Sequence, residues 1–212
     1  MKNIIRIVIL NKNKDYKRRG HKMKDKVGVI HGRFQLLHND HMKYLLAGKE
    51  KCEHLIIGIC NPEVDLTKYT EANPHRSKRA SNPLTYFERM ECIKYSLIEA
   101  GISQEEFDIV PFPINFPEKI FNYAPQNAKY YMTIYDEWGE EKLQSLQEQL
   151  GLDVDVLWRV TLEEKGISGS DVRKRIQEGK DWKLYVPNFV YQYITKNKID
   201  SRIKQFLDEE KE

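Results

Sequence analysis

The sequence has few cysteines and no long apolar run. Its three cysteines, Cys52, Cys60 and Cys92, are odd in number and lack Cys-x-x-Cys spacing. That pattern disfavours a disulfide framework and a zinc site, and it favours a reducing, cytoplasmic environment. The apolar run at 4–10 is interrupted by Arg6, and it is far shorter than the roughly 20 residues that cross a membrane. We therefore expect a cytoplasmic protein with no membrane span.

A strong excess of either charge is also absent. Lys and Arg number 35 against 32 for Asp and Glu, which leaves a formal net charge of +3. This balance is too even for a dedicated nucleic-acid binder. Residues 11–26 are almost wholly polar and basic, so we expect residues 1–26 to form a flexible arm, either a solvated tail or a contact for substrate or nucleic acid.

Apolar runs and helical patterns alternate through the rest of the chain. The pattern predicts strands at 27–30, 54–60, 107–110, 130–134 and 154–158, with helices at 41–51 and 137–150 and in the C-terminal third. This alternation predicts an α/β fold, a doubly wound Rossmann-like parallel sheet with a helical C-terminal segment. We expect one domain at 27–199 and a C-terminal helical tail at 200–212. Ligands of such sheets bind beyond the carboxyl ends of the strands.

A long polar stretch at 61–82 contains two prolines and no apolar period. Long loops of this kind in compact domains more often carry functional residues than serve only as connections. Asn82 and Pro83 suit the N-cap and first position of a helix, which we expect to end near Gly101. Its apolar face would carry Leu84, Phe87, Met90, Ile93, Leu97 and Ile98.

The first motif directly follows the first predicted strand and runs from Gly32 to His41 (GRFQLLHNDH). It places His38 and His41 at the start of a predicted helix, where free N–H groups and a partial positive charge attract phosphate oxygens. Both imidazoles can donate hydrogen bonds to a triphosphate and to the charge that develops as pyrophosphate leaves. An isolated His-x-x-His pair is commonly structural, so this interpretation depends on the Gly-Arg-Phe-Gln segment before it.

The second motif, 167–173 (ISGSDVR), brings hydroxyl residues and a glycine to the start of another predicted helix. Arg173 falls in the first turns of that helix, which makes the segment a second candidate phosphate site. The alternative is that Ser168 or Ser170 only caps the helix and Arg173 is a surface cation.

The two motifs resemble the GRFQPxHxGH and ISSTxxR signatures of the HxGH nucleotidyltransferases, which include nicotinamide-mononucleotide adenylyltransferases and related cytidylyltransferases. Leu36 stands where the family usually has proline, and Asp40 where it usually has glycine. Residues 82–89 (NPLTYFER) are similar to the NPFTxxER stretch of archaeal-type members. The resemblance covers about 27–199. We expect the Asp40 carboxylate to face solvent from the first turn of its helix. The alternative is that it lies beside the phosphates and alters nucleotide binding, for example through a metal ion.

The resemblance implies that a nucleoside monophosphate is transferred from ATP to a phosphate-bearing acceptor and that pyrophosphate is released. Such chemistry needs alignment and charge stabilisation more than a protein nucleophile. The implied catalytic residues are His38, His41 and Arg173. The implied ATP-binding residues are Gly32, Arg33, Phe34, His38, His41, Ile167, Ser168, Ser170 and Arg173. Mg²⁺ would be held mainly by the ATP phosphates, because the sequence has no dense Asp cluster to form a protein metal site.

The acceptor is expected to bind after the fourth strand and at the end of the long loop. Tyr135 and Trp138 could stack on a ring such as nicotinamide, while Asp136 could bind ribose hydroxyls or an amide. Aromatic packing at a strand-to-helix turn is an equally good explanation. Arg79 and Asn82 complete the predicted acceptor contacts. The basic loop residues His75, Arg76, Lys78 and Arg79 could neutralise an acceptor phosphate or could simply be solvated.

The sequence leaves three nucleotide-related functions open, and a nucleic-acid-binding module, suggested only by the basic arm, is the weakest alternative to them. The main prediction is transfer of AMP to nicotinamide or nicotinate mononucleotide, giving NAD or its deamido form. One alternative is a cytidylyltransferase acting on a small phosphate or phosphonate. Another is a catalytically impaired nucleotide sensor, which Asp40 keeps open. The expected partners are ATP and a small acceptor, with no nucleic acid and no membrane, and a homo-oligomer is compatible with the sequence.

Overall fold

The described residues of a computed structural model, 23–63, 78–161, 164 and 166–210, contain one five-stranded parallel sheet. Its strands are β1 (Asp25–Gly32), β2 (Cys52–Cys60), β3 (Phe107–Phe112), β4 (Lys129–Ile134) and β5 (Asp153–Arg159). Its α-helices are α1 (Asn39–Lys51), α2 (Tyr86–Glu99), α3 (Glu137–Gln144), α4 (Gly169–Gln177), α5 (Asn188–Lys196) and α6 (Ile199–Glu209). Most of the predicted arm, and the loop residues His75 and Arg76, lie outside the described part.

The strand order β3-β2-β1-β4-β5 places β1 at the centre of the sheet. The chain winds from β1 outwards to β3 and then returns to the other side of β1 as β4, so the strand order reverses between β1 and β4. All adjacent strands pair in parallel. This reversal creates a crevice at the carboxyl ends of β1 and β4, where such sheets bind ligands.

Two apolar clusters cover the two faces of the sheet. The larger cluster joins inward residues such as Ile30 and Ile57 to Leu45 of α1, Ile93 of α2 and Val190 of α5. The smaller cluster joins alternate residues of β1, β3 and β4 to the segment after α3, including Val29, Phe112, Tyr130 and Leu146. Because parallel sheets are stable when both faces are buried, these clusters explain the near-continuous apolar strands. The predicted fold class and helical C-terminal segment are confirmed.

The start predicted for the second helix, at Asn82 and Pro83, is wrong. The helix begins at Tyr86, and the Thr85 hydroxyl accepts a hydrogen bond from the backbone N–H of Glu88 at 3.2 Å. The Glu88 carboxylate in turn accepts one from the Thr85 N–H at 2.9 Å, completing a capping box. The Asn82 amide instead donates to the carbonyl of Lys78. Phe87, expected on the apolar face, is 59% exposed.

Three other boundaries differ from the sequence predictions. The α-helical part of the predicted 137–150 helix ends at Gln144, and Ser145–Gln149 is π-helical. Strand β1 begins at Asp25, two residues inside the predicted arm. Helix α6, most of which falls in the predicted C-terminal tail, buries Ile199 and Ile203 against the larger cluster. No described helix is long and apolar enough to cross a membrane.

Candidate functional site

A cleft of about 480 Å³ opens at the carboxyl ends of β1 and β4. Its walls are the turn from β1 to α1, the end of β4 with the start of α3, and the segment that begins α4. The cleft therefore lies where the strand order reverses, the usual ligand position in such sheets. All the residues predicted to bind the nucleotide line this cleft: Gly32, Arg33, Phe34, His38, His41, Ile167, Ser168, Ser170 and Arg173.

His38 and His41 stack on each other at the start of α1. Their ring centroids are 3.7 Å apart, and the Phe34 ring meets His41 edge-on at 5.1 Å. His38 is the N-cap residue, and its Nδ1 accepts a hydrogen bond from the His41 N–H at 3.4 Å. The two imidazoles thus stand together at a helix N-terminus, where backbone N–H groups also attract anions.

The second motif packs directly on the first. A side chain on Gly169 would place its Cβ 2.6 Å from the Gln35 carbonyl oxygen, so only glycine fits this approach. Arg173 donates from one guanidinium nitrogen to the Gln35 carbonyl and from the other to the Ser170 hydroxyl at 3.0 Å. Ser168 caps α4 through a capping box with Asp171 and also lines the cleft. Capping the helix therefore does not prevent Ser168 from lining the cleft.

The cleft has a positive wall formed by Arg33 and Arg173. Arg173 is buried, and burial lowers the pKa of its guanidinium to about 10, with the nearby Arg33 charge acting in the same direction. The guanidinium therefore remains charged at neutral pH. A polyanionic ligand would relieve the unfavourable proximity of the two cations.

Arg89 and Gln35 hold the β1–α1 turn in place, and the predicted site omitted both. The buried Arg89 guanidinium donates to the carbonyls of Arg33, Cys60 and Asn61 at 3.0, 2.8 and 2.8 Å. The Gln35 amide exchanges hydrogen bonds of 2.8 and 2.9 Å with the backbone of Leu84. Residues 82–89, which carried part of the family resemblance, thus lie outside the cleft and hold its β1–α1 wall in place.

The Asp40 carboxylate was expected to face solvent, but its side chain is mostly buried and lines the cleft. Its side chain is 22% exposed and forms an ion pair of 2.5 Å with Lys43. It lines the cleft and reaches across to Gly166, where an added Cβ would lie 2.0 Å from its Oδ2. Asp40 therefore occupies the cleft wall beside the segment that leads to the second motif.

The predicted acceptor residues are only partly brought together. Tyr135 and Asp136 line the cleft, and Asp136 caps α3 by accepting a hydrogen bond from the Gly139 N–H at 2.9 Å. Arg79 lies over the Phe206 ring of α6 at 4.5 Å. Neither Arg79 nor Asn82 is among the described residues that line the cleft. The side chain of Trp138 lies outside the described part of the structure.

The sequence interpretation missed His31, which lines the cleft from the end of β1. Its imidazole stacks on Phe112 with a centroid distance of 4.7 Å and an interplanar angle of 9°. Burial holds its pKa well below the usual value, and the charge of Lys142, another cleft residue, lowers it further. The only signal in the sequence is one polar residue closing an apolar strand.

Comparisons with known proteins identify the family of this chain. Residues 29–175 match the family model described as cytidylyltransferase-like. The chain is 46% identical over 177 residues to the phosphonoformate cytidylyltransferase of Streptomyces viridochromogenes, across 84% of this chain and 95% of that protein. It is 31% identical over 180 residues to the nicotinamide-nucleotide adenylyltransferase of Thermococcus sibiricus, across 84% and 87%.

A solved structure supports the same fold. The bifunctional NMN adenylyltransferase/ADP ribose pyrophosphatase of Francisella tularensis superposes with a TM-score of 0.58 at 16% identity. The match covers 85% of this chain but 53% of that longer protein. On its sequence relationships and its fold, this chain belongs to the cytidylyltransferase-like family and is a nucleotidyltransferase.

Proposed function

We propose that the protein is a cytidylyltransferase that transfers CMP from CTP to a small phosphonate or phosphate and releases pyrophosphate. The observation that carries this proposal is the 46% identity to a phosphonoformate cytidylyltransferase over 95% of that protein. The identity to a nicotinamide-nucleotide adenylyltransferase, 31%, is much lower over the same share of this chain. The proposal thus takes the cytidylyltransferase alternative in preference to the adenylyltransferase prediction.

The proposed reaction is a displacement at the α-phosphorus of CTP. An acceptor oxygen forms a new bond to that phosphorus, the bond to the bridging α–β oxygen breaks, and the electron pair leaves with pyrophosphate. Arg173, His38 and His41 would contact the triphosphate and stabilise the charge that develops on the leaving group. No protein nucleophile is required, because alignment and electrostatic stabilisation provide the catalysis.

Mg²⁺ would enter this site with the nucleotide. No group of three or more His, Cys, Asp or Glu residues suited to a metal ion occurs in the described part of the chain. Arg33 and Arg173 line the cleft and would face the phosphates. The triphosphate would therefore supply most of the metal ligands, and the bound ion would neutralise charge on the phosphate oxygens.

The proposal is tested by measuring pyrophosphate release with every pairing of two nucleotides and three acceptors. The nucleotides are CTP and ATP, and the acceptors are phosphonoformate, methylphosphonate and nicotinamide mononucleotide. We expect CTP with phosphonoformate to give a kcat/KM at least about tenfold above any ATP pairing, a ratio that corresponds to about 1.4 kcal/mol of discrimination. The His41→Ala variant, purified in parallel, controls for contaminating enzymes. A maximum for ATP with nicotinamide mononucleotide would reject the proposal in favour of the adenylyltransferase.

A further inference from the structure

His31 is a buried polar side chain at the end of β1. It is 5% exposed, and in the described part of the chain its Nδ1 has no hydrogen-bond partner. Its ring is nevertheless held firmly by stacking on Phe112. Because an unsatisfied buried nitrogen destabilises a protein, an apolar ring would serve packing better at this position. Packing alone therefore does not account for a histidine at this position.

His31 also faces a different part of the cleft from the nucleotide-binding motifs. It follows Val29 by two residues, so its side chain lies on the face of the sheet covered by the smaller cluster. Helices α1 and α4, which carry the two motifs, pack against the larger cluster on the opposite face. The hydroxyl of Tyr44 ties the His31 carbonyl to that of Tyr131, which fixes the end of β1 beside β4.

Lys142 gives this end of the cleft a positive charge. It extends from α3 into the same cleft and is close enough for its charge to act on His31. A neutral imidazole beside an ammonium group suits an anion that needs one hydrogen bond and one charge partner. The triphosphate would already be engaged by His38, His41 and Arg173. A second, smaller anionic substrate would then bind at the His31 end of the cleft.

We propose that His31 determines specificity for the acceptor by hydrogen-bonding an anionic group of a compact phosphonate or phosphate, with Lys142 supplying the countercharge. This proposal rests on the proposed cytidylyltransferase function. Because Nδ1 is enclosed, we assign the contact to Nε2. The favoured acceptor carries two anionic groups: one oxyanion attacks the α-phosphorus, and a neighbouring carboxylate or similar group binds His31.

His31→Phe tests this assignment because it keeps the ring and its stacking on Phe112 while removing both nitrogens. We expect the KM for phosphonoformate to rise about tenfold or more, while the KM for CTP stays within about twofold. The melting temperature should not fall. The matched control is His54→Phe, at a histidine outside the cleft that pairs with Asp108; its KM for both substrates should match the wild-type values.

Two further variants identify the nitrogen involved. The amide of His31→Gln lies near the Nε2 position and that of His31→Asn near the Nδ1 position, so Gln should recover more acceptor affinity. An unchanged phosphonoformate KM in His31→Phe would overturn the role of His31, and equal or greater recovery by Asn would overturn the assignment of the contact to Nε2. Absence of CTP turnover in the wild type with every phosphonate and phosphate would instead defeat the proposed function itself.

Discussion

The two histidines at the start of α1 differ in their contribution to the structure of the helix. His41 is half-buried and contacts His38 and Phe34 by ring packing, whereas the His38 side chain also caps the helix. We expect His41→Ala to lower kcat by roughly two to three powers of ten with little change in melting temperature, because a donor to developing charge is lost. Single-turnover kinetics and thermal unfolding measure the two effects separately.

His38 provides the internal comparison for that prediction. His38→Ala should lower turnover and also destabilise the protein by about 1 kcal/mol, since the helix loses its cap. His38→Asn should recover the stability without the activity. Near-normal turnover in His41→Ala would remove that residue from the mechanism.

Asp40 places a negative charge in a cleft that is predicted to hold a triphosphate. Its pairing with Lys43 offsets part of this charge. Removing the charge with Asp40→Asn should tighten CTP binding without Mg²⁺ by roughly three- to tenfold, and should have less effect when Mg²⁺ is present. Calorimetric titration measures both affinities. Asp200→Asn, at a first-turn aspartate of α6, is the control. Weaker binding that is confined to the Mg²⁺ condition would instead show that Asp40 contacts the ion.

At the scale of single elements, the start of α2 depends on Thr85. We expect Thr85→Ala to lower the free energy of unfolding by about 1 kcal/mol, because the capping box with Glu88 is lost. Thr85→Ser keeps the hydroxyl and should retain most of the stability. Urea denaturation compares the variants. Equal stability of Thr85→Ala and wild type would show that this cap contributes nothing.

The elements themselves were largely predictable from periodicity. Apolar runs located all five strands, because strands of a parallel sheet covered on both faces are rich in apolar residues. Helix ends were less predictable, since Asn82-Pro83 and Thr85-x-x-Glu88 are both plausible starts in the sequence. The structure separates them, because Thr85 and Glu88 form the capping box while the Asn82 amide donates to Lys78. The π-helical Ser145–Gln149 carries no distinct pattern, because its apolar spacing continues that of α3.

Helix α6 shows how the chain beyond the matched family region supports the whole molecule. Ile203 is fully buried in the larger cluster, and Arg202 forms an ion pair of 2.5 Å with Glu88 of α2. We expect Ile203→Ala to destabilise the protein by about 2–5 kcal/mol through loss of buried apolar volume. Lys204→Ala, at the exposed neighbouring position, should be nearly neutral. A small effect at Ile203, measured by urea denaturation, would make the helix a dispensable tail.

The convergence of the two motifs on one cleft was predictable, whereas the residues of the proposed acceptor end were not. The motif residues are consecutive in sequence and lie at helix starts, so their local pattern already placed them together at the cleft. The acceptor end depends on which side chains from separate strands and helices converge. His31 and Lys142 are 111 positions apart in the sequence, and no local pattern joins them. Arg79 was assigned to the acceptor by its charge, yet it packs on Phe206.

The central claim, CMP transfer to a phosphonate, is tested most directly by identifying the product. Phosphorus NMR of the wild-type protein with CTP, phosphonoformate and Mg²⁺ should show the phosphonate resonance and a CMP resonance coupled to each other through a new P–O–P bridge. Pyrophosphate should accumulate in equal amount. If CTP and phosphonoformate persist unchanged while ATP and nicotinamide mononucleotide are converted into a dinucleotide under the same conditions, the account is contradicted.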